Sequence, residues 1–302
     1  KVENKGDLLT GVWLDLGTAG AIGNSATPSA QTIQVAVDQT PTSIELWVGG
    51  KMIDRQDANY INMLWTKFLS TSFSKSKHPD TAAATNQKWF PLHFFHCDNS
   101  TTPLPLVALQ YQEVEIRVNQ SPKSDDTKIR MFGNYVQLDT TERQWFTEQS
   151  HDMLITQVQR IGADISGSDL IYLNHPVKAL MWGTEQDENT SPAGDDSETS
   201  NVQLYVNGTE YYNTPMPTGY FSSVTPYYHS EYCSYTGQYP NICMFSFAME
   251  ANRHQPTGTL NFSRVDNAKL VWEAASSPIY LYAVNYNIFR IESGLGGVRF
   301  SN

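Results

Sequence analysis

The sequence predicts an all-β protein built as two consecutive β domains, and three observations carry that expectation. The dominant hydrophobic period is two, helix-forming stretches are scarce, and many aromatics are combined with few charges. Of 302 residues, 40% are hydrophobic, 12% aromatic and only 17% charged. A chain of this length holds one large domain or two of ordinary size. Aromatic-rich, charge-poor sequences with frequent Pro and Gly favour strands, turns and surfaces buried against partners, so an oligomer-forming protein is expected.

The period of two is the mark of half-buried strands. In SIELWVGG, Ile44, Leu46 and Val48 share one face, and Glu45 and Trp47 share the other. In QEVEIRV, Val114, Ile116 and Val118 oppose Glu113, Glu115 and Arg117. Near the C-terminus, Tyr282, Val284, Tyr286 and Ile288 form a stripe. The same reasoning predicts strands over 8–16, 32–37, 88–95, 128–138, 153–161, 171–182, 202–208, 242–249 and 268–274.

Helix is expected at DTTERQWFTEQ, where Asp139 is an N-cap and Glu142 follows three residues later, a capping-box pattern. A second helix is expected from Ala58 to Phe68. Asn207-Gly208 between two strand-like runs predicts a tight hairpin turn. Ser70 to Gln87 and the acidic Thr184 to Ser200 read as exposed loops, since neither has apolar residues to bury. The helix near 140–149 divides the strands into two sets of similar size, each fit for a sandwich or jelly roll.

Charge and motif content exclude several functions. The net charge is −11, six of the carboxylates lie in 184–200, and no basic stripe is present. DNA phosphates would repel such a chain, so direct nucleic-acid binding is not expected. Cys97, Cys233 and Cys243 lack zinc-ligand or disulfide-framework spacing. A Cys233–Cys243 bridge is conceivable, with reduced thiols the favoured reading. No apolar run reaches the ~20 residues of a membrane helix. The chain begins at Lys1 without a signal peptide, which reads as a processed or truncated start.

His93, His96 and Cys97 suggest a metal site, but on a strand residues three apart face opposite sides, so structural histidines are expected. No Gly-x-Ser-x-Gly elbow is present. The glycines of SGLGG (293–297) lack the following helix that a phosphate cradle needs, so they read as a turn. No catalytic residue, cofactor or metal is expected. Sequons occur at Asn99, Asn119, Asn189, Asn207 and Asn261. Of these, Asn99, Asn189 and Asn207 are kept as glycosylation candidates, with Asn189 the most accessible.

Eight segments in order carry a family resemblance: NKGDLLT (4–10), SIELWVGGKMID (43–54), PLPLVALQYQEVEI (103–116), LDTTERQWF (138–146), SHDMLITQVQ (150–159), LNHPVKALMW (173–182), HQPTGTLNFSRVDNA (254–268) and YAVNYNIFRIESGLGG (282–297). Together they resemble the major capsid proteins of nucleo-cytoplasmic large DNA viruses, such as iridoviruses and phycodnaviruses. The resemblance implies a double jelly roll of two eight-stranded antiparallel β-sandwiches, the first over 1–148 and the second over 149–302. It implies a homotrimer with a pseudo-hexagonal outline in an icosahedral virion, assembled in the host cytoplasm. Implied partners are neighbouring capsomers, minor capsid and penton proteins, an inner viral membrane, and the host surface through outer loops.

Only KVENK precedes the GDL motif, so the first jelly roll is expected to lack its N-terminal strand, either missing upstream or supplied by a neighbouring chain. The residues expected to act structurally are Asn174, His175, Pro176, Gln255, Pro256, Gly258, Asn261, Ser263, Arg264, Asp266, Tyr286, Asn287 and Arg290. A register slip at Arg264 predicts a β-bulge, Arg264 and Asp266 are expected to pair locally, and Arg264→Ala is expected to destabilise monomer or trimer. Rival readings are a minor or penton capsid protein, a glycan-binding jelly roll, and a metal-dependent oxygenase.

Overall fold

The computed structural model describes residues 1–15, 43–57, 60–70, 89–98, 101–119, 129–161, 168–184, 201–231, 242–272 and 279–301. The expected strand at 32–37, the loops over 71–87 and 185–200, Asn99, Asn189 and Cys233 lie outside these residues. The chain divides into two compact units. One comprises Lys1–Ile61, Phe73–Ile155 and Ile288–Ser301; the other comprises Asn62–Ser72 and Thr156–Asn287.

The first unit opens with β1 (Leu8–Asp15), β2 (Ser43–Val48) and β3 (Lys51–Asp57). A wide-turned π-helix, Tyr60–Leu69, replaces the helix expected over 58–68. Next come β4 (Trp89–Pro91), α1 (Phe95–Asp98), β5 (Leu104–Pro105), a 3-10 turn at Leu106–Ala108, β6 (Val114–Asn119), β7 (Arg130–Val136) and α2 (Thr140–Glu148). Two antiparallel sheets result, one of β4, β1, β5 and β7, the other in the order β3-β2-β6.

The expected alternation holds in β2. Ile44, Leu46 and Val48 are buried and lie opposite Val118, Ile116 and Val114 of β6. On the other face the Arg117 guanidinium stacks 3.8 Å from the Trp47 ring, and Trp47 Nε1 donates to Glu45 Oε2 at 2.8 Å. Asp139 caps α2 as expected, its N–H donating to Glu142 Oε2 at 3.2 Å.

The strand expected over 88–95 is strand only over Trp89–Pro91. Pro91 has no N–H for the ladder, and the chain turns into α1, which buries Phe95, His96 and Cys97. His96 is therefore helical, and the argument from opposite strand faces does not describe this site. His93 Nδ1 lies 2.8 Å from Asp98 Oδ1. Among the described residues, no group of His, Cys, Asp and Glu is arranged to hold a metal ion.

The second half of the chain forms β8 (His151–Ile161), β9 (Ser168–Leu170), β10 (Pro176–Thr184), β11 (Asn201–Val206), β12 (Thr209–Glu210), β13 (Met216–Pro217), a π-turn at Tyr220–Val224, and α3 (Thr225–His229). It continues through β14 (Ile242–Ser246), β15 (Leu260–Asn261), a 3-10 turn at Phe262–Arg264, β16 (Ala268–Trp272), β17 (Ile279–Glu292) and β18 (Leu295–Val298). One sheet runs β14-β10-β17-β18, with β15 on β10 and β8 on β17; the other runs β12-β11-β16-β9, with β13 on β11. β17 belongs to the second unit up to Asn287 and to the first from Ile288, where β18 pairs with it.

The core of the second unit combines Leu180 and Trp182 of β10, Phe245 of β14 and Leu281 and Ala283 of β17 with Val202 and Leu204 of β11 and Leu270 and Trp272 of β16. Both inner sheet faces thus contribute, as in a sandwich. β17 departs from simple alternation. Tyr282, Val284 and Tyr286 are buried as expected, but so are Leu281, Ala283, Asn285 and Asn287, so both faces of this strand are covered. Asn207 (φ 51°) and Gly208 (φ 77°) form the expected tight turn between β11 and β12. SGLGG turns β17 into β18, as expected.

Two strand expectations shorten. That over 171–182 begins only at Pro176, because His175 is held at φ 66°, outside the β region. The slip at Arg264 is the 3-10 turn Phe262–Arg264 rather than a β-bulge. Its cause is local: Asn261 Oδ1 accepts the Ser263 N–H at 3.1 Å and caps the turn.

Candidate functional site

The signature residues converge on a hydrogen-bonded node where β10 begins. Left-handed His175 is buried. Its N–H donates to Ser263 Oγ at 2.8 Å, and its carbonyl accepts from Phe262 N–H at 3.0 Å. Pro176 and Val177 then pair with Asn261 and Leu260 of β15. The short polar side chains of NFS therefore hold the β15 turn against the NHP corner, and each bond satisfies a backbone group that this irregular segment leaves outside regular ladders.

A second layer fixes the same corner to β8 and β17. Gln159 accepts from Asn174 N–H at 3.1 Å. Its Nε2 donates to the Asn174 carbonyl at 2.8 Å and to Asn285 Oδ1 at 2.9 Å. Asn287 Nδ2 donates to Gln157 Oε1 at 2.8 Å. Buried amides are costly unless paired, and these are paired with one another. Gln157, Gln159 and Asn285 were not singled out from the sequence. The signal available was the polar alternation of TQVQ in β8, which reads as a solvent face until a second strand is seen to carry matching amides.

Around this node, Lys178 Nζ lies 5.5 Å from the Tyr286 ring centroid, and the Tyr286 hydroxyl donates to the Arg253 carbonyl at 3.4 Å. Burial pushes the Tyr286 phenol up to about 12. Gly258 is at φ 149°, and a Cβ there would stand 2.7 Å from the Phe247 carbonyl oxygen. The adjacent Thr257 hydroxyl accepts from Glu250 N–H at 3.0 Å. These contacts hold the HQPTG segment close to the chain leaving β14.

Other predicted residues stand apart. Gln255 and Pro256 are exposed. Arg264 and Asp266 are exposed and, among the described residues, form no ion pair with each other. Asp266 instead donates its backbone N–H to Asn207 Oδ1 at 2.9 Å, because the left-handed Asn207 turns its amide toward that loop. Arg290 belongs to the first unit, with Nε 3.1 Å from Glu292 and 3.9 Å from Asp152. Asn207 is exposed at its hairpin tip. Asn119 donates Nδ2 to Ser43 Oγ at 3.0 Å. Cys243 is a free, buried thiol, pushed up to about 12 by that burial.

The node consists of internal hydrogen bonds. Its amides and hydroxyls are turned inward and tie strands together. Two β units, each with two sheets and with polar groups spent on internal bonds, define a double jelly roll built to hold a shape.

The comparisons agree. A family described as large eukaryotic DNA virus major capsid protein matches residues 142–297, and one described as major capsid protein N-terminus matches residues 1–208. The major capsid protein of Pyramimonas orientalis virus is 30% identical over 345 residues, spanning 100% of this chain and 85% of the relative. That of Paramecium bursaria Chlorella virus 1 is 26% identical over 392 residues, spanning 100% and 87%. A quasi-atomic PBCV-1 virus capsid structure superposes with a TM-score of 0.76 at 22% identity, covering 100% of this chain and 92% of the other. The chain belongs to the family of large eukaryotic DNA virus major capsid proteins, and it serves as a capsid protein of the virion.

Proposed function

We propose that three copies of this chain close into a trimeric capsomer of pseudo-hexagonal outline that tiles an icosahedral shell and carries no catalytic activity. The observation that carries this reading is the presence of two sandwich units in one chain that belongs to the major capsid family. Threefold closure of a two-unit chain gives six similar units around an axis. In this proposal the first jelly roll spans 1–148 and the second 149–302, although Ile288–Glu292 of β17 and β18 cluster with the first unit.

The partners follow from the same reading. Capsomers meet neighbouring capsomers, with minor capsid and penton proteins at special positions and a lipid layer beneath. Outer loops face the host, and assembly takes place in the host cytoplasm. A net charge of −11 supports a shell that does not touch the genome directly. Light scattering on the purified protein tests the central claim. A particle of three times the chain mass is expected, and a monomer or a pentamer at all concentrations would overturn it.

A further inference from the structure

The glycines of SGLGG do more than turn the chain. β17 pairs with β10 as far as Asn285, whereas Ile288–Ser301 belongs to the first unit. Within that unit Phe289 and Ile291 are buried, and the Phe289 ring lies 6.1 Å from the Phe95 ring of α1. Apolar side chains from 288–298 therefore enter a unit whose other residues all precede Thr156.

The seat of this hairpin is specific. β18 pairs only with β17 among the described residues, so the ladder leaves its other edge to be satisfied elsewhere. Gln112 Oε1 accepts the Gly296 N–H on that edge at 2.7 Å. Beside it, Tyr111 N–H donates to the Gly294 carbonyl at 3.3 Å. The fit leaves no space for a side chain at Gly296, where a Cβ would stand 2.6 Å from Leu109 Cδ2 and 2.8 Å from Phe289 Cζ. Gln112 also covers the β2–β3 turn. A Cβ at Gly49 would collide with the Gln112 side chain, and Gly49 N–H donates to the Glu113 carbonyl at 3.0 Å. One glutamine thus bridges two glycine turns that are remote in sequence.

Connectivity sets the order in which these contacts form. Gln112 and Gly296 are 184 positions apart, and contacts between distant segments carry a loop-closure cost that local pairings do not. During synthesis, residues 288–298 also emerge after every segment they pack against. We propose that Ile288–Val298 is a strap that closes the first unit last, with Gln112 as its latch. Until the strap is seated, Phe95 and Leu109 lack the side chains that cover them and the first unit is open, so a subunit is fit to assemble only after closure. The strap acts within a single chain and is independent of the trimer reading.

Hydrogen exchange of the full chain, read by mass spectrometry, tests this. Under native conditions with rising denaturant, amides of 289–298 and of β1, β2 and β6 should open in one step while those of β10, β11 and β16 stay protected. In pulse labelling during refolding, the same first-unit amides should gain protection together with the strap, after those of the second unit. Gln112→Ala should raise the native-state opening of strap and first unit about tenfold, as expected for one lost hydrogen bond. Gln112→Glu keeps an acceptor oxygen and should stay closer to wild type than to Gln112→Ala. A strap that exchanges alone while β1, β2 and β6 remain protected would overturn the proposal. So would a strap that opens only with β10, or a first unit protected before the strap during refolding. Equal exchange in Gln112→Ala and wild type would remove the latch. The wild-type pattern decides the strap even where a variant fails to fold.

Discussion

At the scale of single residues, the HQPTG segment depends on one backbone position. Gly258 has a φ of 149°, which L side chains rarely adopt, and a Cβ there would stand only 2.7 Å from the Phe247 carbonyl oxygen. Gly258→Ala is expected to cost about 1–3 kcal/mol, read as a lower urea midpoint with an unchanged slope. Arg264 is the contrary case. The sequence suggests a structural arginine paired with Asp266, but the side chain is exposed and has no ion pair with Asp266 among the described residues. Arg264→Ala is accordingly expected to change the stability of the subunit by less than ~0.5 kcal/mol. A loss of more than ~1 kcal/mol in the urea midpoint analysis would restore the original expectation.

At the scale of elements, β1 and α2 are joined by one carboxylate. Asp7 accepts from Arg143 at 2.9 Å and from Leu138 N–H at 2.8 Å. The Arg143 guanidinium first, and then the Leu138 N–H, hold its carboxyl below the usual carboxylate range. A carboxyl whose folded value is depressed stabilises the fold above its unfolded value, about 3.9, and that contribution is lost as the pH falls through the folded value. Wild type should therefore lose stability on acidification relative to Asp7→Asn, and the difference between them should shrink below about pH 4. Urea midpoints across pH check this, and a difference independent of pH would remove the assigned role. The same scale shows why helix α2 was legible: Asp139 and Glu142 are a local signal, read within four residues.

At the scale of the whole molecule, two sandwich units and a low-charge, aromatic composition fit a protein whose work is to present surfaces. The trimer mass is the prediction that belongs here. The node around His175 serves this scale indirectly. By fixing β8, β10, β15 and β17 through paired amides, it gives the second unit one arrangement, which repeated tiling requires.

The sequence by itself determined the strand periods of β2, β6 and β16, the capped helix α2, the Asn207-Gly208 turn and, through eight ordered motifs, the family. These are local or linear signals, set by neighbours within a few residues. Only the tertiary structure decided which polar residues matter. Gln159 and Asn285 are 126 positions apart, and nothing in either neighbourhood announces the other. It also decided that the 88–95 run breaks at Pro91, that the Arg264 slip is a 3-10 turn capped by Asn261, and that both faces of β17 are buried. Burial and pairing are properties of strands brought together from distant parts of the chain, so a pattern of period two can place a face but cannot say what will lie against it.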